Sequence, residues 1–303
     1  MIPFRSILCP VDFSEHSAVA LRYAAALAGI SGAPLTVAWV TDPLLAQAAA
    51  VYVPDPKAEQ ARSDLREFAS EALPQNARWL AEPRLVVTVG TPDREILKIA
   101  RKQHADVIVM GTHGLSGYQK VFFGSTTERV LRQTAIPVLA VPVTEKVLPL
   151  SDVKPSLDVG TVIIAVDLGQ DSNALADCGV RLARWLNART LLVHVVSSRG
   201  APARWRPAAE AQRESELRAA EREISRLTGE LGAETDETLV LPGRPADEIA
   251  GLAATRHAGL IVMGLTSGAR RRTARPGSIA YRILLLTPTP VLVVPPSFLH
   301  TAL

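Results

Sequence analysis

Residues 107–125, with the sequence VIVMGTHGLSGYQKVFFGS, contain the pattern that decides the fold. The apolar run 107–110 predicts a buried strand, and residues 126–132 have the spacing of a helix. Between them stand Gly111-Thr-His-Gly114, nine further residues and Gly124-Ser125. Glycines in such a loop let the backbone approach an anion, and the first N–H groups of the following helix have no partner within it. The stretch therefore predicts a strand, a phosphate-binding loop and a helix; ordinary turn glycines are the alternative.

The chain contains this unit twice. Residues 5–12 are echoed by 160–167, and the spacing from Asp12 to Val40 equals that from Asp167 to Val195. The other matched blocks are 90–96 with 243–249, 104–111 with 257–264, and 136–142 with 289–295. Matched blocks in one order indicate a duplication. We predict domains at residues 1–144 and 159–303, joined by a linker at 145–158.

Each copy alternates short β-rich runs with helical patterns, which is typical of an α/β protein. We predict two tandem, doubly wound, five-stranded parallel sheets with helices on both faces. The near-continuous apolar run 162–166 fits a strand covered on both sides. A strand order of 3-2-1-4-5 would place Asp12 opposite Gly111, where the winding reverses and such sheets bind ligands.

Composition excludes several classes of protein. No apolar run reaches the roughly 20 residues of a membrane span, and the first residues lack a signal-peptide pattern, so we expect a cytoplasmic protein without a membrane partner. The net charge of +3 is too small to indicate nucleic acid. The two cysteines, Cys9 and Cys178, have no metal-ligand spacing and are expected to be packing residues.

The combined motifs resemble the universal stress protein family in its tandem two-domain form, and specifically its ATP-binding branch. The resemblance rests on Pro10-Val-Asp12, the loop Gly111-Thr-His-Gly114, Gly124-Ser125 and the closing segment 136–142. It covers both copies and nearly the whole chain outside the linker. The resemblance implies ATP as the ligand, with Mg²⁺ or Mn²⁺ as a bridge between the phosphates, although no acidic cluster marks a dedicated metal site.

The resemblance also implies roles for individual residues. Asp12 would contact the ribose or adenine end, although a plain turn or helix-capping role is the alternative. Ser125 could bind phosphate or act as an N-cap, and His113 could present only its backbone. The predicted ATP-binding residues are Pro10, Val11, Asp12, Val40, Met110, Gly111, His113, Gly114, Gly124, Ser125 and Thr126.

The second copy departs from the pattern at its glycine loop. It has Ser267 where the first copy has a second glycine, and Pro276 stiffens the approach to the helix. The basic run 270–275 could pair with phosphates or form a solvated loop. We expect the second copy to bind ATP weakly or not at all. The residues of this second, weaker candidate site are Asp167, Val195, Gly264, Gly277 and Ser278.

No catalytic residues are predicted. The chain has no G-x-x-x-x-G-K-[ST] loop, and Ser14, Glu15 and His16 are consecutive, which suits a helix cap better than a triad. We expect at most slow ATP hydrolysis. Two main functions remain open: a nucleotide-binding protein that acts in stress response or signalling through conformation or partner binding, and an interaction or scaffold protein with vestigial sites.

The resemblance implies an assembly as well. The two domains of one chain would pair through their last strands, near residues 138–141 and 291–294, because apolar strands at a sheet edge tend to pair. One chain would then imitate a homodimer, and whole chains could dimerise further.

Overall fold

The computed structural model describes residues 4–41, 57–74, 77–112, 124–143, 154–197, 206–231, 235–265 and 278–300. The chain divides into two compact units. The first unit is Pro3–Leu157, and the second is formed by Asp158–Leu303. Each unit alternates strands with helices, which confirms the predicted α/β architecture.

In the first unit, every pairing between neighbouring strands is parallel, and the order is β3-β2-β1-β4-β5. The strands are β1 (Ile7–Val11), β2 (Leu35–Thr41), β3 (Arg84–Val89), β4 (Val107–Gly111) and β5 (Val138–Val141). The helices are α1 (Glu15–Ser31), α2 (Lys57–Ala72), α3 (Pro92–Lys102) and α4 (Ser125–Gln133).

The second unit repeats this order as β8-β7-β6-β9-β10, again with parallel pairings. Its strands are β6 (Thr161–Ala165), β7 (Arg189–Ser197), β8 (Glu237–Gly243), β9 (Leu260–Gly264) and β10 (Val291–Val294). Its helices are α5 (Ser172–Trp185), α6 (Arg206–Glu230), α7 (Pro245–Thr255), α8 (Ile279–Leu286) and α9 (Pro296–Leu299). The short helix α9 had no sequence-based prediction.

The core of each unit lies along its central strands. Every residue of β1, β4 and β5 is buried. Because successive side chains of a strand point to opposite faces, this burial shows that both faces of these strands are covered. Helix α1 packs with a run of buried alanines, including Ala24 and Ala25, and ends at Gly32, whose φ of 70° gives the left-handed cap that favours glycine.

In each unit the winding of the strands reverses between the first and the fourth strand. In the first unit β1 lies between β2 and β4, so the carboxyl ends of β1 and β4 are neighbours. In the second unit β6 and β9 have the same relation. Parallel α/β sheets hold ligands in the crevice at this position. None of the helices within the described residues has the length and apolar character that crossing a membrane requires.

Candidate functional site

A cleft opens at the carboxyl ends of β1 and β4 in the first unit. It is lined by nine of the eleven residues that the sequence predicts for ATP: Pro10, Val11, Asp12, Val40, Met110, Gly111, Gly124, Ser125 and Thr126. The other two, His113 and Gly114, lie outside the described residues. The fold therefore brings together side chains that are more than 100 positions apart in the sequence.

Sequence reasoning missed five residues of this cleft: Ser17, Ala38, Pro92, Ile96 and Thr127. Pro92 and Ile96 stand in a block that the second copy repeats, so the duplication was the signal that could have found them. Pro92 begins α3, where the missing N–H of proline costs nothing. Pro92 and Ile96 add to the apolar lining of the cleft.

Asp12 holds the turn that connects β1 to α1. Its Oδ1 atom accepts hydrogen bonds from the backbone N–H of Ser14 at 3.1 Å and from the Ser14 hydroxyl at 2.5 Å. Ser14 in turn is the N-cap of α1, and its Oγ accepts from the Ser17 N–H at 3.1 Å. The helix-cap interpretation of Ser14 is confirmed. Among the described residues, no hydrogen bond engages the second carboxylate oxygen of Asp12, which leaves an acceptor for a ligand hydroxyl.

The residue after Asp12 has an unusual backbone. Phe13 adopts a φ of 63°, and the equivalent Leu168 in the second unit adopts 57°. A side chain in this left-handed region costs energy, which the surroundings must offset. The Phe13 ring packs edge-on against Trp39, with the two centroids 4.7 Å apart, and against Phe68 at 5.3 Å. This aromatic contact holds the Asp12 turn at the mouth of the cleft.

Gly111 is required by packing. A Cβ atom placed on it would lie 2.9 Å from the backbone carbonyl oxygen of His16 in α1. Real Cβ atoms rarely come so close to backbone, so α1 can approach the end of β4 only because residue 111 is glycine. The sequence indicated that residue 111 is glycine because glycine leaves the backbone open to an anion. The close packing of α1 against the end of β4 is a second reason, which the sequence did not reveal.

Helix α4 begins at the cleft without a side-chain cap. Its N-cap is Gly124, which has no side chain to accept from the first turn, and Ser125 is the first helical residue. The suggestion that Ser125 caps this helix is therefore wrong. Within the part of the chain that the structure describes, no side chain caps the first turn, so its N–H groups are available to an anion, and the positive end of the helix dipole points to the same place. The Gly124 N–H itself donates to the Thr112 carbonyl oxygen at 2.7 Å, which joins the two ends of the glycine loop.

His16 is the titratable group packed beneath this site. Burial lowers the pKa of His16 below its ordinary value, while the nearby carboxylates of Glu15 and Asp12 act in the opposite direction. The imidazole is therefore neutral near pH 7.

The second unit has a cleft at the equivalent position, between β6 and β9. Of the second set of predicted residues, Asp167, Val195 and Gly264 line it. Ser278 stands at the start of α8, outside the lining residues, and Gly277 lies outside the described residues. The turn is also repeated, since Asp167 Oδ1 accepts from the Gly169 N–H at 2.9 Å and from the Ser172 hydroxyl at 3.1 Å.

Two features distinguish the second cleft. Ser278 is the N-cap of α8, and its Oγ accepts from the Tyr281 N–H at 3.3 Å, so one N–H group of the first turn is already used. A Cβ on Gly264 would meet only the Leu175 side chain, at an ordinary contact distance of 3.5 Å. The close approach seen at Gly111 is therefore absent from Gly264. The remaining loop differences, at Ser267 and residues 270–275, lie outside the described residues.

A scan against models of protein families matches the universal stress protein family at residues 3–142 and again at 159–295. The chain belongs to the universal stress protein family. The two matches coincide with the two units and confirm the tandem form. In both halves of this universal stress protein, a cleft lies where the order of the strands reverses.

Known universal stress proteins match single units of this chain. The universal stress protein MJ0577 of Methanocaldococcus jannaschii is 27% identical over 155 residues, which are 46% of this chain and 96% of that protein. A universal stress protein of Thermus aquaticus is 32% identical over 140 residues, again 46% of this chain and 98% of the relative. Each therefore corresponds to about half of this chain.

Solved structures also align with nearly the whole chain. A universal stress protein from Archaeoglobus fulgidus aligns with 96% of this chain and 98% of its own, with a TM-score of 0.63 and 21% identity. At this identity the match supports the fold, and it carries no argument about the ligand.

Proposed function

We propose that the first unit binds ATP and that the bound nucleotide controls conformation or partner binding in a stress-response or signalling role. The observation that carries the proposal is the cleft of the first unit, which is lined by both Asp12 and the uncapped first turn of α4. A carboxylate accepts from ribose hydroxyls, and uncapped helix N–H groups donate to phosphate oxygens.

The lining of the proposed site has an apolar part and a polar part. Val40, Ile96 and Met110 form the apolar part, which suits the faces of a purine base. The polar part includes the hydroxyl residues Ser125 and Thr126, next to Gly124 at the start of α4. His113 and Gly114, by the family resemblance, would flank the ribose and phosphates. This polarity supports one direction for ATP, with the base toward β2 and the phosphates toward α4.

We further propose that Mg²⁺ or Mn²⁺, when it accompanies ATP, is held mainly by phosphate oxygens. Asp12 is the one carboxylate among the described residues that line the cleft. Within the part of the chain that the structure describes, no group of three His, Cys, Asp or Glu side chains is placed to hold a metal ion. A divalent ion bound through phosphates and water fits this donor set.

The rest of the proposal concerns the whole chain. Each unit would carry its own five-stranded sheet, the second unit would bind ATP weakly, and the two units would pair through β5 and β10. Cytoplasmic location and a homodimer belong to the same proposal. A scaffold with vestigial sites is the competing function, and slow ATP hydrolysis is compatible with either, because the described lining residues include no general base other than Asp12.

A titration of the full chain with ATP tests the proposal, together with the nucleotide released from freshly purified protein on denaturation. The matched variants are Asp12→Asn and Asp167→Asn, because asparagine keeps an oxygen for the turn and removes the charge. We expect about one ATP per chain, with affinity reduced about tenfold by Asp12→Asn. Asp167→Asn should leave that affinity unchanged. If neither released nucleotide nor binding is found, the scaffold function is favoured.

A further inference from the structure

We propose that the cleft of the second unit binds a nucleoside without a phosphate chain, and that the two units therefore take different ligands. This inference rests on the proposed nucleotide site of the first unit, because it assigns the same base-binding end to both clefts. It goes beyond weak ATP binding in the second unit, since it predicts that removal of the phosphates improves binding there.

The base-binding end is the same in both units. Val40, Pro92, Ile96 and Met110 line the first cleft, and Val195, Pro245, Ile249 and Met263 line the second at equivalent positions. The residues for the ribose are repeated as well, since Asp12 and Ser17 correspond to Asp167 and Ser172. A ligand recognised by this end alone would fit either unit.

The second cleft is more apolar near the start of α8. At three equivalent positions, threonine in the first unit gives way to an apolar residue that lines the second cleft: Thr112 to Leu265, Thr126 to Ile279 and Thr127 to Ala280. Thr126 and Thr127 line the first cleft, and the Thr127 hydroxyl donates to the Gly111 carbonyl oxygen, which leaves the Thr126 hydroxyl for a phosphate. An aliphatic side chain offers no hydrogen bond to a phosphate oxygen that has lost its water, so the desolvation of a phosphate chain is not compensated there.

The charged residues that the structure describes in the lining of the second cleft also oppose a polyphosphate. Asp167 and Asp171 both line it, whereas Asp12 is the one carboxylate among the described lining residues of the first cleft. No lysine or arginine stands among the described residues that line the second cleft. Carboxylates repel an anion at short range, although Asp171 is paired with His300, and Asp167 can accept hydrogen bonds from the hydroxyl and amino groups of a nucleoside.

Helix α9 completes the apolar wall of the second cleft. Pro296 and Leu299 line it, and Leu299 is buried. The helix is held in place by His300, whose Nε2 lies 3.1 Å from Asp171 Oδ1. Leu175 adds a larger side chain where the first unit has Ala20. These additions increase the apolar surface available to an uncharged ligand.

The methionines provide a separate probe for each cleft. The chain has three, Met1, Met110 and Met263; Met110 lines the first cleft and Met263 the second. The full chain labelled with ¹³C-methyl methionine would be titrated by NMR with adenosine and with ATP. Met110→Leu and Met263→Leu variants assign the signals.

We expect adenosine to shift the Met263 signal, and ATP to shift the Met110 signal at concentrations that leave Met263 unmoved. If ATP shifts Met263 at the same concentration as adenosine or lower, the inference is wrong. If ATP shifts Met110 and adenosine does not shift Met263, the inference is wrong and the proposed function stands. If ATP leaves Met110 unmoved, the proposed function fails, and the adenosine response of Met263 still decides the inference.

A reciprocal pair of variants tests whether the side chains at positions 126 and 279 cause the difference in ATP binding between the two clefts. Ile279→Thr should strengthen ATP binding at Met263 about tenfold, as expected for one restored hydrogen bond to a charged group. Thr126→Ile should weaken ATP binding at Met110 about tenfold, and should weaken it more than adenosine binding there. Thermal unfolding of both variants controls for stability. Unchanged ATP affinities in two folded variants would contradict the role assigned to these side chains.

Discussion

The hydroxyl of Thr127 donates a hydrogen bond to the backbone carbonyl oxygen of Gly111 at 2.9 Å, which joins the first turn of α4 to the end of β4. The bond is buried, and it links two segments that enclose the glycine loop. Ala280 stands at the equivalent position of the second unit, where no such bond can form. This contact therefore positions the uncapped turn of α4 in the first unit alone.

We expect Thr127→Val to lower the free energy of unfolding by about 1 to 2 kcal/mol, because it leaves the buried Gly111 carbonyl without this donor. It should also weaken ATP binding, since α4 is no longer tied to β4. Thr127→Ser, which keeps the hydroxyl, is the control and should retain ATP affinity. Urea unfolding and an ATP titration measure the two effects. Equal ATP affinities for the valine and serine variants would contradict the positioning role.

The two glycines that end β4 and β9 should respond differently to the same substitution. Gly111→Ala places a Cβ 2.9 Å from the His16 carbonyl oxygen, so α1 must move, at a cost of about 1 to 3 kcal/mol. Gly264→Ala meets only Leu175 at 3.5 Å and should change stability by less than about 0.5 kcal/mol. Thermal unfolding of the two variants is the measurement. A larger loss for Gly264→Ala would refute the packing argument.

The equivalent serines at the starts of α4 and α8 should also differ in the effect of substitution by alanine. Ser278 caps α8, so Ser278→Ala should lower the free energy of unfolding by about 1 kcal/mol. Ser125 is exposed and makes no hydrogen bond to the described residues, so Ser125→Ala should change stability little and weaken ATP binding. Denaturant unfolding, together with ATP titration, distinguishes a structural serine from a binding serine. A stability loss as large for Ser125→Ala would show that Ser125 also has a capping role.

The lowered pKa of His16 predicts that the stability of the folded chain depends on pH. Its pKa is lowered in the folded chain, mainly by burial, so the unfolded chain binds the proton more readily. The stabilising effect of the neutral ring is complete above the ordinary pKa of 6.5 and is lost as the pH falls through the lower, folded value. Melting temperatures of the wild type and His16→Gln, measured from pH 7.5 to pH 5, should show a steeper decrease for the wild type. Parallel curves would exclude His16 as the cause.

Much of the fold followed from local pattern. The apolar run 107–110 and the helical spacing at 126–132 lie within one residue of the observed bounds of β4 and α4. Both segments have a clear pattern, and glycines at 111 and 124 stand where the strand ends and the helix begins. Helix α9 was missed because four residues are too few to show a period.

The candidate site, like the fold, was predicted only in part from the sequence. The family resemblance predicted nine residues that line the first cleft and, through the duplication, three that line the second. It could not predict that residue 125 begins a helix while residue 278 caps one, because a cap is defined by backbone angles that depend on the packing of the whole turn. It also could not reveal Thr127 as a lining residue, since the approach of α4 to the sheet is not encoded in local spacing.

The sequence by itself determined the duplication, the alternation of strands and helices, the position of the glycine loop and the family, because each of these depends on residue type and spacing along the chain. Only the tertiary structure decided why Gly111 must be glycine and which helix start stays open to an anion. Only the tertiary structure showed, too, that the apolar residues at the positions of Thr112, Thr126 and Thr127 line the second cleft. These properties depend on distances between segments up to a hundred residues apart, such as the 2.9 Å between an added Cβ at position 111 and the carbonyl oxygen of His16. Such distances arise only when helices pack on the sheet.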